Sequence, residues 1–86
     1  MTEEGWTLDV DSEATYLVPW LNDEVDEAVR EQVVRWIADL VVDPVGRGHE
    51  DVPGVYSAVV PRTAVNVVWL LDVEERSVVL VLMGSV

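Results

Sequence analysis

Two runs near the end of this chain, Ala64–Leu71 and Val78–Met83, constrain the fold most, because each is apolar on both faces of an extended strand. Side chains alternate along a strand, so Val65, Val67, Trp69 and Leu71 share one face while Ala64, Asn66, Val68 and Leu70 share the other. Strands of this kind normally have both faces covered. Only the acidic stretch Asp72–Ser77 lies between them, and a connection that short joins antiparallel neighbours. A third run, Val55–Val60, precedes them across Pro61-Arg62-Thr63, which adds a second hairpin.

The first half has other periods. Trp6–Asp11 alternates apolar and polar residues, as a half-buried strand does. Ser12 is a candidate cap for a short helical stripe of Ala14, Leu17, Val18 and Leu21, interrupted by Pro19. Asn22 and Asp23 are candidate caps for a longer helix whose first turns are acidic. Val25, Val29, Val33, Trp36, Ile37, Leu40 and Val41 form its apolar face, and Pro44 and Gly46 end it. Residues 43–54 are expected to form a loop rich in Pro and Gly. The predicted order is β-α-α-β-β-β, with helices near residues 13–21 and 23–42. This is an α+β fold with a helix pair on a mostly antiparallel four-stranded sheet, and one domain over residues 1–86.

Charge limits the partners. Seventeen acids face five arginines and no lysine, a net charge of −12. The excess is concentrated early: residues 1–43 carry net −10, residues 44–71 are neutral and residues 72–86 carry −2. Nucleic-acid affinity depends largely on neutralising phosphates with Lys and Arg, so this balance argues against direct binding to DNA, RNA or an acidic membrane. There is no cysteine, which excludes disulfides and thiolate metal sites. No run of about 18 apolar residues is present to span a membrane. The acidic start Met1-Thr2-Glu3-Glu4 is unlike a secretory signal, and a cytoplasmic protein is expected.

Two helices can cover one face of such a sheet, and the sequence ends at Val86 with no further helix for the other. Val68, Leu70, Leu80 and Val81 are therefore the expected partner-binding residues, facing a second copy or a different protein. Residues able to do chemistry are sparse. Arg47, His49, Tyr56 and Arg62 are the candidate catalytic side chains. The run His49-Glu50-Asp51 does not converge on one ion, so no metal or other cofactor is expected. Trp6, Trp20, Trp36 and Trp69 read as core or partner-face anchors.

Taken together, the strand, the helix pair, the helix end Leu40-Val41-Val42-Asp43-Pro44, the segment Pro53-Gly54-Val55-Tyr56, the hairpin with Trp69, the acidic turn and the apolar last strand resemble the RelE/ParE superfamily of bacterial toxins. The resemblance runs from Trp6 to about Met83. In the RelE branch it implies a ribonuclease that cuts mRNA in the ribosome, with Lys and Arg on the sheet and often a Tyr or His near the C-terminus. It also implies an antitoxin segment wrapped around the toxin. Cations suit the reaction, since attack of a 2′-hydroxyl on phosphate builds negative charge and protons must move. Where the family places basic side chains, this sequence reads Ser57-Ala58-Val59-Val60-Pro61 and then Ala64-Val65-Asn66. In place of the family's basic, aromatic tail it reads Met83-Gly84-Ser85-Val86. The expectation is a toxin-like protein that acts by binding protein. The alternatives are an active toxin, mRNA-cutting or gyrase-inhibiting, with a relocated site around Arg47, His49 and Arg62, and an acidic mimic of nucleic acid.

Overall fold

The computed structural model describes residues 6–85; residues 1–5, with the acidic start Met1–Glu4, and the final Val86 lie outside the described residues. Strand β1 (Thr7–Val10) leads to helices α1 (Leu17–Asp23) and α2 (Glu27–Leu40), followed by β2 (His49–Val52), β3 (Val55–Val59), β4 (Val65–Asp72) and β5 (Ser77–Ser85). The sheet order is β1-β5-β4-β3-β2. β1 runs parallel to β5, and every other pair is antiparallel. The two helices lie on a mostly antiparallel sheet, as expected.

The sheet has five strands where the sequence suggested four. Residues 49–52 pair with β3, His49 opposite Ser57 and Glu50 opposite Tyr56. The strand escapes a hydropathy pattern because all four of its residues are exposed, so nothing apolar alternates. Its turn does carry a mark: Pro53-Gly54, with Gly54 at φ +85°, is the residue pair of a type II turn.

Helix starts also differ from expectation. α1 begins at Leu17 after Tyr16, with no side-chain cap, so Ser12 caps nothing. Pro19 then falls in the first turn, where a missing N–H breaks no helical bond. α2 is capped by Asp26, whose carboxylate accepts from the Ala28 amide at 3.2 Å, not by Asn22 or Asp23, which close α1.

Val33, Trp36 and Leu40 carry the buried stripe of α2 onto Tyr56, Val67, Trp69, Val78 and Leu80. Trp69 is the centre of this core. It stacks on Tyr56 (centroids 6.0 Å apart, planes at 13°) and meets Trp36 edge-on at 5.8 Å. Trp6 instead sits under the Arg76 guanidinium, 5.1 Å from the ring centre.

Of two register irregularities, one between Glu50 and Val52 on the edge strand and one on β5, the second decides which side chains face the helices. Val68 pairs with Leu82, but Trp69 pairs with Leu80, so Val81 is an extra residue on β5, a β-bulge. Before the bulge Val78 and Leu80 are buried; after it the buried residue is Met83. The alternation therefore changes phase.

Candidate functional site

The face of the sheet away from the helices is the first candidate site. Strand register sets Val55, Ser57 and Val59 of β3 beside Leu70, Val68 and Asn66 of β4, with Val79, Leu82 and Gly84 of β5 beyond. Val59 and Leu82 are 49% and 45% exposed, and Val68, Leu70 and Val79 are partly exposed. Ser57, Val59 and Asn66 occupy three of the positions where the resemblance implies cations, and they bring none.

Of the expected partner residues, Val68 and Leu70 lie on this face. Leu80 does not: it is 4% exposed and belongs to the core. The bulge explains the correction, because strict alternation through Val81 misassigns one side of it. Val81 itself is half-buried at the bulge.

The expected catalytic residues separate into three places. Tyr56 lies in the core under Trp69. Burial first, and then the charge and hydrogen bonding of Glu50, raise its phenol above the ordinary 10.0, so it is a poor proton donor or acceptor near neutrality. Because the folded value is the higher one, the stability it contributes is complete below pH 10 and is lost as pH rises through the folded value. Tyr56→Phe should therefore flatten the alkaline decline in stability, measured by urea unfolding at pH 9 to 11; identical pH profiles would contradict this environment.

His49 stands on the edge strand β2, its Nε2 3.8 Å from Asp51 Oδ1, while the Ser57 hydroxyl donates to Asp51 Oδ2 at 2.7 Å. The three residue types match a catalytic triad, but their order does not. A triad needs histidine between the hydroxyl and the carboxylate; here the carboxylate is in the middle. Among the described residues, no cluster of three His, Cys, Asp or Glu is placed to hold a metal ion.

Arg47 and Arg62 do converge, and with them Arg35, which sequence inspection did not single out. The three line a hollow of about 320 Å³, together with Asp39, Trp36 and Pro61. Local structure explains each placement. Arg35 and Asp39 are one turn apart on α2. Arg47 follows a tight loop in which the Asp43 carboxylate accepts from the Gly46 amide at 3.0 Å. Arg62 is at the tip of the β3–β4 turn, with φ +66°. The Thr63 hydroxyl holds that turn, donating to the Val60 carbonyl at 2.8 Å and accepting from the Val65 amide at 3.1 Å. Arg35 carried no sequence signal because its position on an acidic helix looks like any solvated charge.

Comparison with known proteins reinforces the fold. No family model matches the chain, and no curated protein matches it. Solved structures do. The isolated E. coli RelE toxin superposes with a TM-score of 0.73 at 18% identity, over 93% of this chain and 83% of that one. The RelBE2 toxin–antitoxin complex of Mycobacterium tuberculosis gives 0.70 at 20% identity, over 95% of this chain and 99% of that one. The archaeal RelE–RelB complex of Pyrococcus horikoshii gives 0.68 at 10% identity, covering 94% of each chain. The chain thus has the fold of the RelE toxins. At these identities the likeness is one of architecture.

Proposed function

We propose that this protein is a toxin-type component of a toxin–antitoxin pair that works by binding protein through its open sheet face and does not cut RNA. The observation carrying this reading is the make-up of that face: Val59, Val68, Leu70, Val79 and Leu82, with Ser57 and Asn66 where a RelE-type ribonuclease needs cations. Apolar surface gathered on one face marks a binding site more often than a solvated one. An antitoxin-like segment is the occupant favoured here, since the structural neighbours include RelE chains in complex with RelB; a second copy of this chain is the alternative. Among the described residues no helix is long and apolar enough to cross a membrane, and we place the protein in the cytoplasm.

A missing cationic or acid–base contribution costs a reaction about 10²–10⁴-fold each, and here several are absent together. Purified protein added to translating ribosomes should leave mRNA intact, and its expression should not arrest growth. Ribosome-dependent cleavage that disappears in Arg62→Ala would establish the relocated ribonuclease site instead.

A further inference from the structure

We propose that the hollow formed by Arg35, Arg47 and Arg62 is a binding site for a single phosphate group carried by a small molecule, such as a mononucleotide. This site is separate from the open sheet face, and it stands or falls independently of the function proposed above.

Three of the protein's five arginines line this one hollow. They come from three separate segments, the middle of α2, the α2–β2 loop and the β3–β4 turn. All three are exposed. Among the described residues none is engaged in a hydrogen bond or ion pair, although the chain has seventeen carboxylates to offer. Arg35 and Asp39 stand one helical turn apart and still form no ion pair. Their donors are therefore free to receive an anion, for which an arginine cluster is well suited.

The chemistry of the anion is set by charge and shape. Three guanidiniums against the Asp39 carboxylate leave a net of two positive charges, which matches a phosphate monoester at about −1.5 to −2 near pH 7. A tetrahedral phosphate accepts from donors converging from several sides, whereas a planar carboxylate is satisfied by one guanidinium fork. The volume of about 320 Å³ is at the small end of ligand sites. Pro61 adds an exposed apolar edge, while Trp36 and Val60 lie largely buried beneath a mainly polar lining. A polyanion is disfavoured, because outside the hollow two arginines remain against sixteen acids, a field that repels a string of phosphates.

Arg62 adds a separate observation. Its φ of +66° is a conformation that glycine or asparagine adopts more cheaply. Arg76 adopts the same region (φ +53°) outside the hollow, so the conformation by itself marks a turn; at Arg62 that turn also places the residue at the hollow.

The test is titration of the whole protein at low ionic strength with inorganic phosphate and with adenosine 5′-monophosphate, followed by calorimetry and amide chemical shifts. Both should bind saturably, with a Kd of about 1 mM or tighter, and shifts should centre on residues 35, 47 and 62. Arg35→Gln, Arg47→Gln and Arg62→Gly should each weaken binding about tenfold. Arg62→Gly should melt no lower than the parent, since it relieves the positive φ. Asp39→Asn should tighten binding, an effect that a purely structural role for this cluster would not produce. Absence of saturable phosphate binding, or binding indifferent to the arginine substitutions, would overturn the assignment. So would a single-stranded RNA lacking terminal phosphates that binds here as tightly as the mononucleotide, or a glutamate-rich peptide that binds here while phosphate does not.

Discussion

Trp69→Ala should cost the fold about 3–5 kcal/mol, a large share of the roughly 5–15 kcal/mol that holds a small domain together. Trp69 is fully buried and touches both Trp36 and Tyr56, so its removal opens a cavity that three elements share. The loop before β2 depends on the same ring. A Cβ added at Gly48 would fall 2.7 Å from Trp69 Cζ2 and 2.9 Å from the Ser57 carbonyl oxygen, and closer still to Cη2 of the ring. Neither the buried indole nor a strand backbone can move cheaply. Gly48→Ala should therefore cost about 1–3 kcal/mol by overpacking. The two sites should be coupled: in a Trp69→Phe background, which lacks the clashing ring atoms, the Gly48→Ala penalty should shrink. The buried Trp69 Nε1 has no hydrogen-bond partner among the described residues, so Trp69→Phe removes an unsatisfied donor and loses no hydrogen bond. Urea unfolding of the parent, Trp69→Ala, Gly48→Ala, Trp69→Phe and the Gly48→Ala/Trp69→Phe double variant checks this, and a neutral Gly48→Ala would contradict the packing.

The second large effect is a contrast between two leucines either side of the bulge. Leu80→Glu should unfold the protein, because an unpaired carboxylate in the core costs about 3–5 kcal/mol or more. Leu82→Glu should leave folding almost unchanged, since Leu82 is 45% exposed, and surface changes usually fall within about 0.5 kcal/mol. It should nevertheless abolish binding of a partner at the open face, through an unpaired charge in an apolar contact. Thermal melts with co-purification of an antitoxin-like peptide, or light scattering for a self-associated form, separate the two outcomes. If Leu82→Glu keeps every association of the parent protein, the open face is not the interface.

Much of the architecture was legible in local pattern. The stripe Val33-Trp36-Leu40 marked the buried side of α2, and the runs of β3, β4 and β5 marked the two hairpins, because hydrophobic periodicity is a property of the chain itself. The order of every element except β2 came from that periodicity, and the antiparallel pairing of β3, β4 and β5 came from connection length. The edge strand β2 was not legible, since four exposed residues carry no periodic signal; only Pro53-Gly54 hinted at its turn. The caps were ambiguous because Asn22, Asp23 and Asp26 all have the chemistry of an N-cap, and the backbone chooses among them.

The candidate sites divide in the same way. The order of residues alone established that β3 and the start of β4 carry Ser57, Val59 and Asn66 and no basic side chain, and that the chain is strongly acidic, because composition along a strand survives any packing. Three-dimensional packing was needed to make Leu80 core and Leu82 surface, since a single extra residue at Val81 shifts the alternation of β5 without any mark in its apolar sequence. Packing also brought Arg47 and Arg62 to Arg35 while sending His49 and Tyr56 elsewhere. Arg35 is separated from Arg62 by twenty-six residues, and their proximity depends on how α2 crosses the end of the β3–β4 hairpin, a long-range contact that no local spacing encodes.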